Sequence, residues 1–293
     1  MKGKKIVSTL LALLLLTGVP VSALAAEWDI SKGDITVNAG SGGQTVTQGG
    51  GAAVVDSAPV IMGSSTDNTL TINAEKDQTA SVTLSGVNID VSGKGKAAVS
   101  TTGEGNVSIE LDGDSTLKSG KGHAGLEKKN GGKLTIADED KNGKLTAEGG
   151  KYGAGIGGGD QGAGSGITIT GGEIKATGGD YGAGIGGGLQ GKGKDITVSG
   201  AAKLKVQGGV EDDVDGAGAG IGDGGSRSES INDASPIPGA EVAPDISGLT
   251  TGRIEYYAPG ADMEKDKPQA PRSERLTSRR SPSSRARTRP STA

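Results

Sequence analysis

The segment Asp138-Glu139-Asp140-Lys141-Asn142-Gly143 sets oxygen-bearing side chains at alternate positions and a glycine at the sixth. That is the pattern of the first half of a calcium loop, in which Asp138, Asp140 and Asn142 would supply hard oxygen ligands and the glycine permits a sharp turn. The bidentate acid such a loop needs at its twelfth position falls on Gly149, with Glu148 one residue short, so the segment reads equally as a solvated turn joining Ile136 to Leu145. A second acidic group, Glu211, Asp212, Asp213 and Asp215, crowds four carboxylates into one turn. Their mutual repulsion favours a bound cation, or else a solvated acidic bulge.

Two aromatic residues have a different chemistry to offer. Tyr152 and Tyr181 occupy identical contexts 29 residues apart. Stacked on neighbouring strands about 4.8 Å apart, they would form a small platform for sugar rings, with Lys151 and Asp180 beside them as hydrogen-bonding groups. The same rings could instead stack on each other over a glycine-rich corner. His123 is the single histidine, so a histidine-rich metal site is excluded, and no arginine precedes Arg227 to serve as a lyase base in the coils. Paired carboxylates for glycoside hydrolysis would have to be assembled by the fold, and nothing in the sequence marks such a pair. The chain is therefore not expected to be an enzyme.

What positions these residues is a repeat. Gly149 to Gly159 reappears as Gly178 to Gly188, with the shared core Tyr-Gly-Ala-Gly-Ile-Gly-Gly-Gly, and weaker copies lie at Gly218 to Gly224 and His123 to Leu126. Between the glycine blocks come paired extended pieces of period two, such as Ile167-Thr168-Ile169 with Glu173-Ile174-Lys175, and Ile196-Thr197-Val198 with Lys203-Leu204-Lys205. First pieces start at Val82, Val107, Leu134, Ile167 and Ile196, spaced 25, 27, 33 and 29 residues apart. Three short strands per unit, none able to bury its apolar face alone, predict an all-β, right-handed parallel β-helix with glycine-rich coils of about 25–33 residues. Ile167, Ile169, Ile174, Ile185, Ile196, Val198, Leu204 and Ile221 should point inward, and a prism that narrow accounts for the absence of phenylalanine. The competing arrangement is an antiparallel meander, because Gly171-Gly172 could close a hairpin.

The expected organisation is a secretory leader over 1–26, the β-helix over 27–225, an irregular segment with a possible last strand over 226–262, and a basic tail over 263–293. Asp34 to Val37 and Thr45 to Thr47 should form the first coil or its cap, with Trp28 as an apolar plug. The tail holds seven of the nine arginines, which marks it as a disordered anion-binding segment or as a sequence artefact. Cysteine is absent, so neither disulfides nor a thiolate metal site can contribute. No segment after the leader approaches the ~20 apolar residues of a membrane span. Residues 26–263 carry 32 acids against 19 bases, −13, which disfavours nucleic acid as a partner.

On Trp28-Asp29-Ile30-Ser31-Lys32-Gly33-Asp34-Ile35 and the repeated glycine blocks, the chain resembles the secreted carbohydrate-binding β-helix family of clostridium-like bacteria, itself similar in fold to pectate lyases. The resemblance spans roughly residues 27–225. It implies binding of cellulose or acidic plant polysaccharide, bound calcium, and no catalytic role. The expected function is thus a secreted or cell-surface polysaccharide-binding module, with Ca2+ as the expected metal. A structural or adhesive stalk is the first alternative and a polysaccharide lyase the second.

Overall fold

The computed structural model describes residues 25–210, 216–227 and 236–271. The chain winds as a right-handed parallel β-helix whose three sheets we call A, B and C. Sheets A and C have seven strands each and sheet B nine. Each complete coil runs through A, then C, then B; Leu134–Ala137, Lys144–Glu148 and Ile156–Gly157 form one such coil. All pairing between successive coils is parallel, so Gly171-Gly172 turns the chain from sheet A to sheet C and the meander is excluded.

Alternation decides which side chains enter the prism. Leu134, Ile167 and Ile196 stack in register in sheet A, Leu145, Ile174 and Leu204 in sheet C, and Ile156, Ile185 and Ile221 in sheet B. All nine are at most 2% exposed, and the eight expected inward residues are all buried. Each fully buried aliphatic side chain contributes roughly 1.5–3 kcal/mol of transfer free energy. The expected phasing is wrong at one coil: Val107 lies beside Ala80, and Val82 beside Ile109, so the first spacing is 27 rather than 25. A shift of two residues keeps the same face inward, which is why hydrophobic pattern alone could not detect it.

Glycine sets how closely the B-side corners stack. A Cβ at Gly153, Gly182 or Gly218 would stand 2.0, 1.9 and 2.1 Å from the carbonyl oxygens of His123, Gly153 and Gly182 in the preceding coil. The glycine blocks are therefore a steric requirement of coil stacking, not flexible linkers.

Both ends are closed by non-repeating chain. At the N-terminal end Ile35–Gly40 pairs parallel with Leu70–Ala74, while Gly43–Gln48 and Val54–Val55 add antiparallel to it, so the expected first coil and its cap are both present. Trp28 packs against the core and its Nε1 donates to Asp56 at 2.8 Å. Sheet A is short here: Val60–Met62 pairs with Thr83 and Leu84 and leaves Ser81 beyond its end. The Gln44 side chain takes the missing strand's place, donating to the Ser81 carbonyl at 2.9 Å and accepting from the Ser81 N–H at 2.8 Å. Gln44→Leu keeps the bulk and strands both groups. Urea unfolding should show a loss of about 1–3 kcal/mol, whereas an unchanged midpoint would mean that water replaces the amide.

At the other end the expected last strand is present and carries the solenoid past the boundary at 225. Arg253–Tyr257 pairs parallel with Lys203–Gln207, Val242 N–H donates to Ile221, and the Glu241 carboxylate accepts from Gly220 and Ile221. The boundary at 263 also falls within packed chain: Met263 is buried and Glu264 pairs with Lys205. Residues 1–24 of the expected leader, the acidic group 211–215 and residues 272–293 of the tail lie outside the described residues. Among the described residues no helix is long and apolar enough to cross a membrane.

Candidate functional site

The strands of sheet C alternate aliphatic and charged residues, and their outward halves stack into columns. One column runs Asp114, Lys144, Glu173, Lys203, Arg253, and the next runs Thr116, Thr146, Lys175, Lys205, Glu255. A groove of about 360 Å³ lies over these columns. It is continuous with a second groove of about 470 Å³ at the A–C corner, sharing Lys144, Glu173 and Lys203 with it. The first groove presents five cations, Lys144, Lys175, Lys203, Lys205 and Arg253, against the acids Glu173, Glu255 and Glu264. It is thus a locally positive strip on an acidic body.

Ion pairs cross from coil to coil along this strip. Lys203 Nζ donates to Glu173 at 2.9 Å and Lys205 Nζ to Glu264 at 2.9 Å, with Lys175 3.5 Å from Glu264. The hydrogen bond from Lys203 holds the Glu173 carboxyl below the usual carboxylate range, and that from Lys205 does the same for Glu264. Glu255 is lowered chiefly by its hydrogen bond from Arg253. Lys205 is raised by Glu264 in return. No carboxyl in the groove is therefore poised as a proton donor near neutral pH, and Lys205 is a poor base.

The residues singled out from the sequence flank this strip on both sides. On one side is the turn Asp138 to Gly143, part of which lines the A–C groove. Asp138 Oδ1 accepts from the N–H groups of Asn142 and Gly143 at 3.2 and 3.1 Å, so it caps its own turn. Asn142 donates from Nδ2 to Asp112 at 3.1 Å. Among the described residues no group of three or more His, Cys, Asp or Glu side chains gathers to hold a metal. Negative charge nonetheless accumulates here. Glu110, which accepts from the Glu139 N–H at 2.6 Å, is raised above its ordinary value first by burial and further by Glu139, Asp138 and Asp140.

A raised folded-state value means that the native state prefers protonated Glu110, so its contribution to stability falls as pH rises through that value. Glu110→Gln, which keeps the acceptor oxygen, should accordingly be more stable than wild type at about pH 7 by less than about 1 kcal/mol. Thermal melts should show the advantage shrinking toward acid. An advantage independent of pH would assign the effect to packing instead.

On the other side of the strip is the C–B corner. Tyr152 and Tyr181 sit at equivalent turn positions with φ of 78° and 63°, in the left-handed region that costs a residue with a Cβ about 1 kcal/mol or more. The preceding coil has Gly122, φ 85°, at this place. Ring contact offsets the strain: the centroids are 6.2 Å apart with planes tilted by 33°. The ammonium groups of Lys151 and Lys121 stand 5.1 and 5.7 Å from the Tyr152 centroid. Lys151 and Asp180 form a cross-coil ion pair at 3.3 Å. Tyr181 is 4% exposed and Tyr152 half-buried, so Tyr152 is the ring a ligand would meet. Glu211, Asp212, Asp213 and Asp215 are not among the described residues.

The outward residues of sheet C were absent from the sequence-derived candidates. The usable signal was the 29- and 30-residue offsets between Lys144, Glu173 and Lys203, which at strand parity put them in one outward column. Comparison of the chain with protein-family models, curated proteins and solved structures finds no match, so the geometry of this flank carries the functional argument.

Proposed function

We propose that the protein is a secreted or cell-surface, non-catalytic polysaccharide-binding module whose binding face is the outer face of sheet C. The observation that carries this reading is the continuous groove over the Lys144, Glu173, Lys203 and Lys175, Lys205 columns. Successive coils present outward polar groups about every 4.8 Å, comparable to the repeat of an extended glycan, so one chain could engage several coils. The excess of cations in the groove favours an anionic polysaccharide over a neutral glucan. Calcium enters the proposal as a bridging cation between such a chain and the carboxylates around Glu110, Asp138 and Asp140, whose mutual repulsion it would relieve. The lowered carboxyl groups and the raised Lys205 support binding without lyase or hydrolase chemistry.

The test is co-sedimentation with insoluble cellulose and retention on polygalacturonate gels, each with calcium and with a chelator. Retention on polygalacturonate is the expected result, weaker with chelator. A well-folded sample that is retained nowhere would leave the structural stalk as the better account, with the cross-coil ion pairs serving only to hold register.

A further inference from the structure

Lys128 stands apart from every other lysine described above. In its strand, Leu126–Lys128, the side chain of Leu126 faces the core, and Lys128, two residues on, has the same inward parity; its partner in the preceding coil is Thr101, 0% exposed. Lys128 is itself only 8% exposed. Its Nζ donates to the Asn130 carbonyl at 2.8 Å and forms no ion pair among the described residues. The next coil offers Gly158, Gly159, Gly162 and Ala163 over this place, so almost no side chain fills the space. The result is a cleft of about 310 Å³ lined by Lys128 and, on its rim, by Glu127 and Asp160. Glu127, 2% exposed, is held by His123 Nδ1 at 2.9 Å and Lys129 Nζ at 3.0 Å. The cleft sets Lys128 and Lys129 against Glu127 and Asp160, so it carries no excess of either charge and suits a small neutral molecule.

We propose that Lys128 is a site-selective amine nucleophile whose cleft admits a small carbonyl compound, such as an open-chain aldose, and forms an imine with it. The Nζ lone pair attacks the carbonyl carbon, the C=O π pair moves to oxygen, and a proton passes from nitrogen to oxygen to give a carbinolamine. The C–O bond then breaks, water leaves, and the C=N bond forms, so no oxidant or reductant is needed. Glu127, Lys129 and Asp160 line the cleft as the other charged groups facing Lys128, with His123 behind Glu127, and can relay the protons. Burial lowers the Lys128 ammonium from its ordinary value, which raises the fraction of free amine near neutrality. The inference is independent of the glycan-binding face and would survive its failure.

The test is incubation of the full chain with glycolaldehyde at about pH 7, where a lowered ammonium leaves more free amine. Cyanoborohydride then delivers hydride to the imine carbon, and peptide mass spectrometry with fragment ions separates Lys128 from Lys129. Lys128 should label faster than the exposed lysines, with the ratio shrinking toward about pH 10 as they too lose their protons. Lys128→Met, which keeps an unbranched stem, should lose only that adduct. Labelling of Lys128 no faster than that of the exposed lysines overturns the proposal, and that comparison needs only the wild-type protein.

Discussion

Gly182→Ala should lose more than about 3 kcal/mol of stability, a large effect for a single added methyl group. The Cβ would stand 1.9 Å from the Gly153 carbonyl oxygen and 3.1 Å from the Ala154 nitrogen, both backbone atoms of the adjacent coil. Neither can rotate away, and the Gly182 carbonyl is in turn where a Cβ on Gly218 would fall, so relief at one coil is passed to the next. Gly93→Ala is the matched control. That residue has nothing within 4 Å of the added carbon, and its unfolding midpoint should stay within about 0.5 kcal/mol of wild type. Equal tolerance of both substitutions in chemical denaturation would show that the coils are not stacked this closely.

Reversing two charges on the outer face of sheet C should weaken binding severely and spare the fold. Lys175→Glu combined with Lys205→Glu converts a groove of five cations and three acids into one of three cations and five acids. Both side chains lie on the outer face of sheet C, about one third exposed, and both pair with the exposed Glu264, so their contribution to stability is that of surface ion pairs, at most about 1 kcal/mol each. An anionic chain that follows the columns would meet repulsion at two successive coils. Retention on polygalacturonate should fall more than about tenfold, and wild-type retention should weaken steeply with salt. Unchanged retention by the folded variant would move the binding face elsewhere on the solenoid.

The prism was legible in the sequence because its core obeys one rule. Ile167, Ile196 and Leu134 recur at strand parity between glycine blocks in a constant three-part unit, which favours parallel stacking over the antiparallel meander that Gly171-Gly172 also allowed. Phase was less secure, since Val82 and Ala80 share a face and only backbone register distinguishes them. The ends were legible as strands but not in their closure: Gln44 substitutes for a strand with a side-chain amide, a contact across 37 residues that no local pattern announces.

The candidate site was legible only at its borders. Asp138 and Tyr152 attract notice by type, and they do bracket sheet C, but the groove between them consists of lysines and glutamates whose alternation reads as an ordinary solvated face. Stacking is what concentrates them. Tyr181 was indistinguishable from Tyr152 in sequence, and its burial depends on the turn geometry of the coil that covers it. Lys128 was hidden for the opposite reason, since nothing local marks a lysine whose inward parity is set by the register with Thr101.

Direct calorimetric titration of the folded protein with soluble oligogalacturonate, in calcium and again in chelator, tests the central claim most closely. Saturable binding that weakens with salt and disappears in the Lys175, Lys205 double variant is the result predicted by a glycan-binding sheet C. Absence of any binding heat for wild type at several temperatures and low ionic strength, with the β-sheet signal intact, would contradict it.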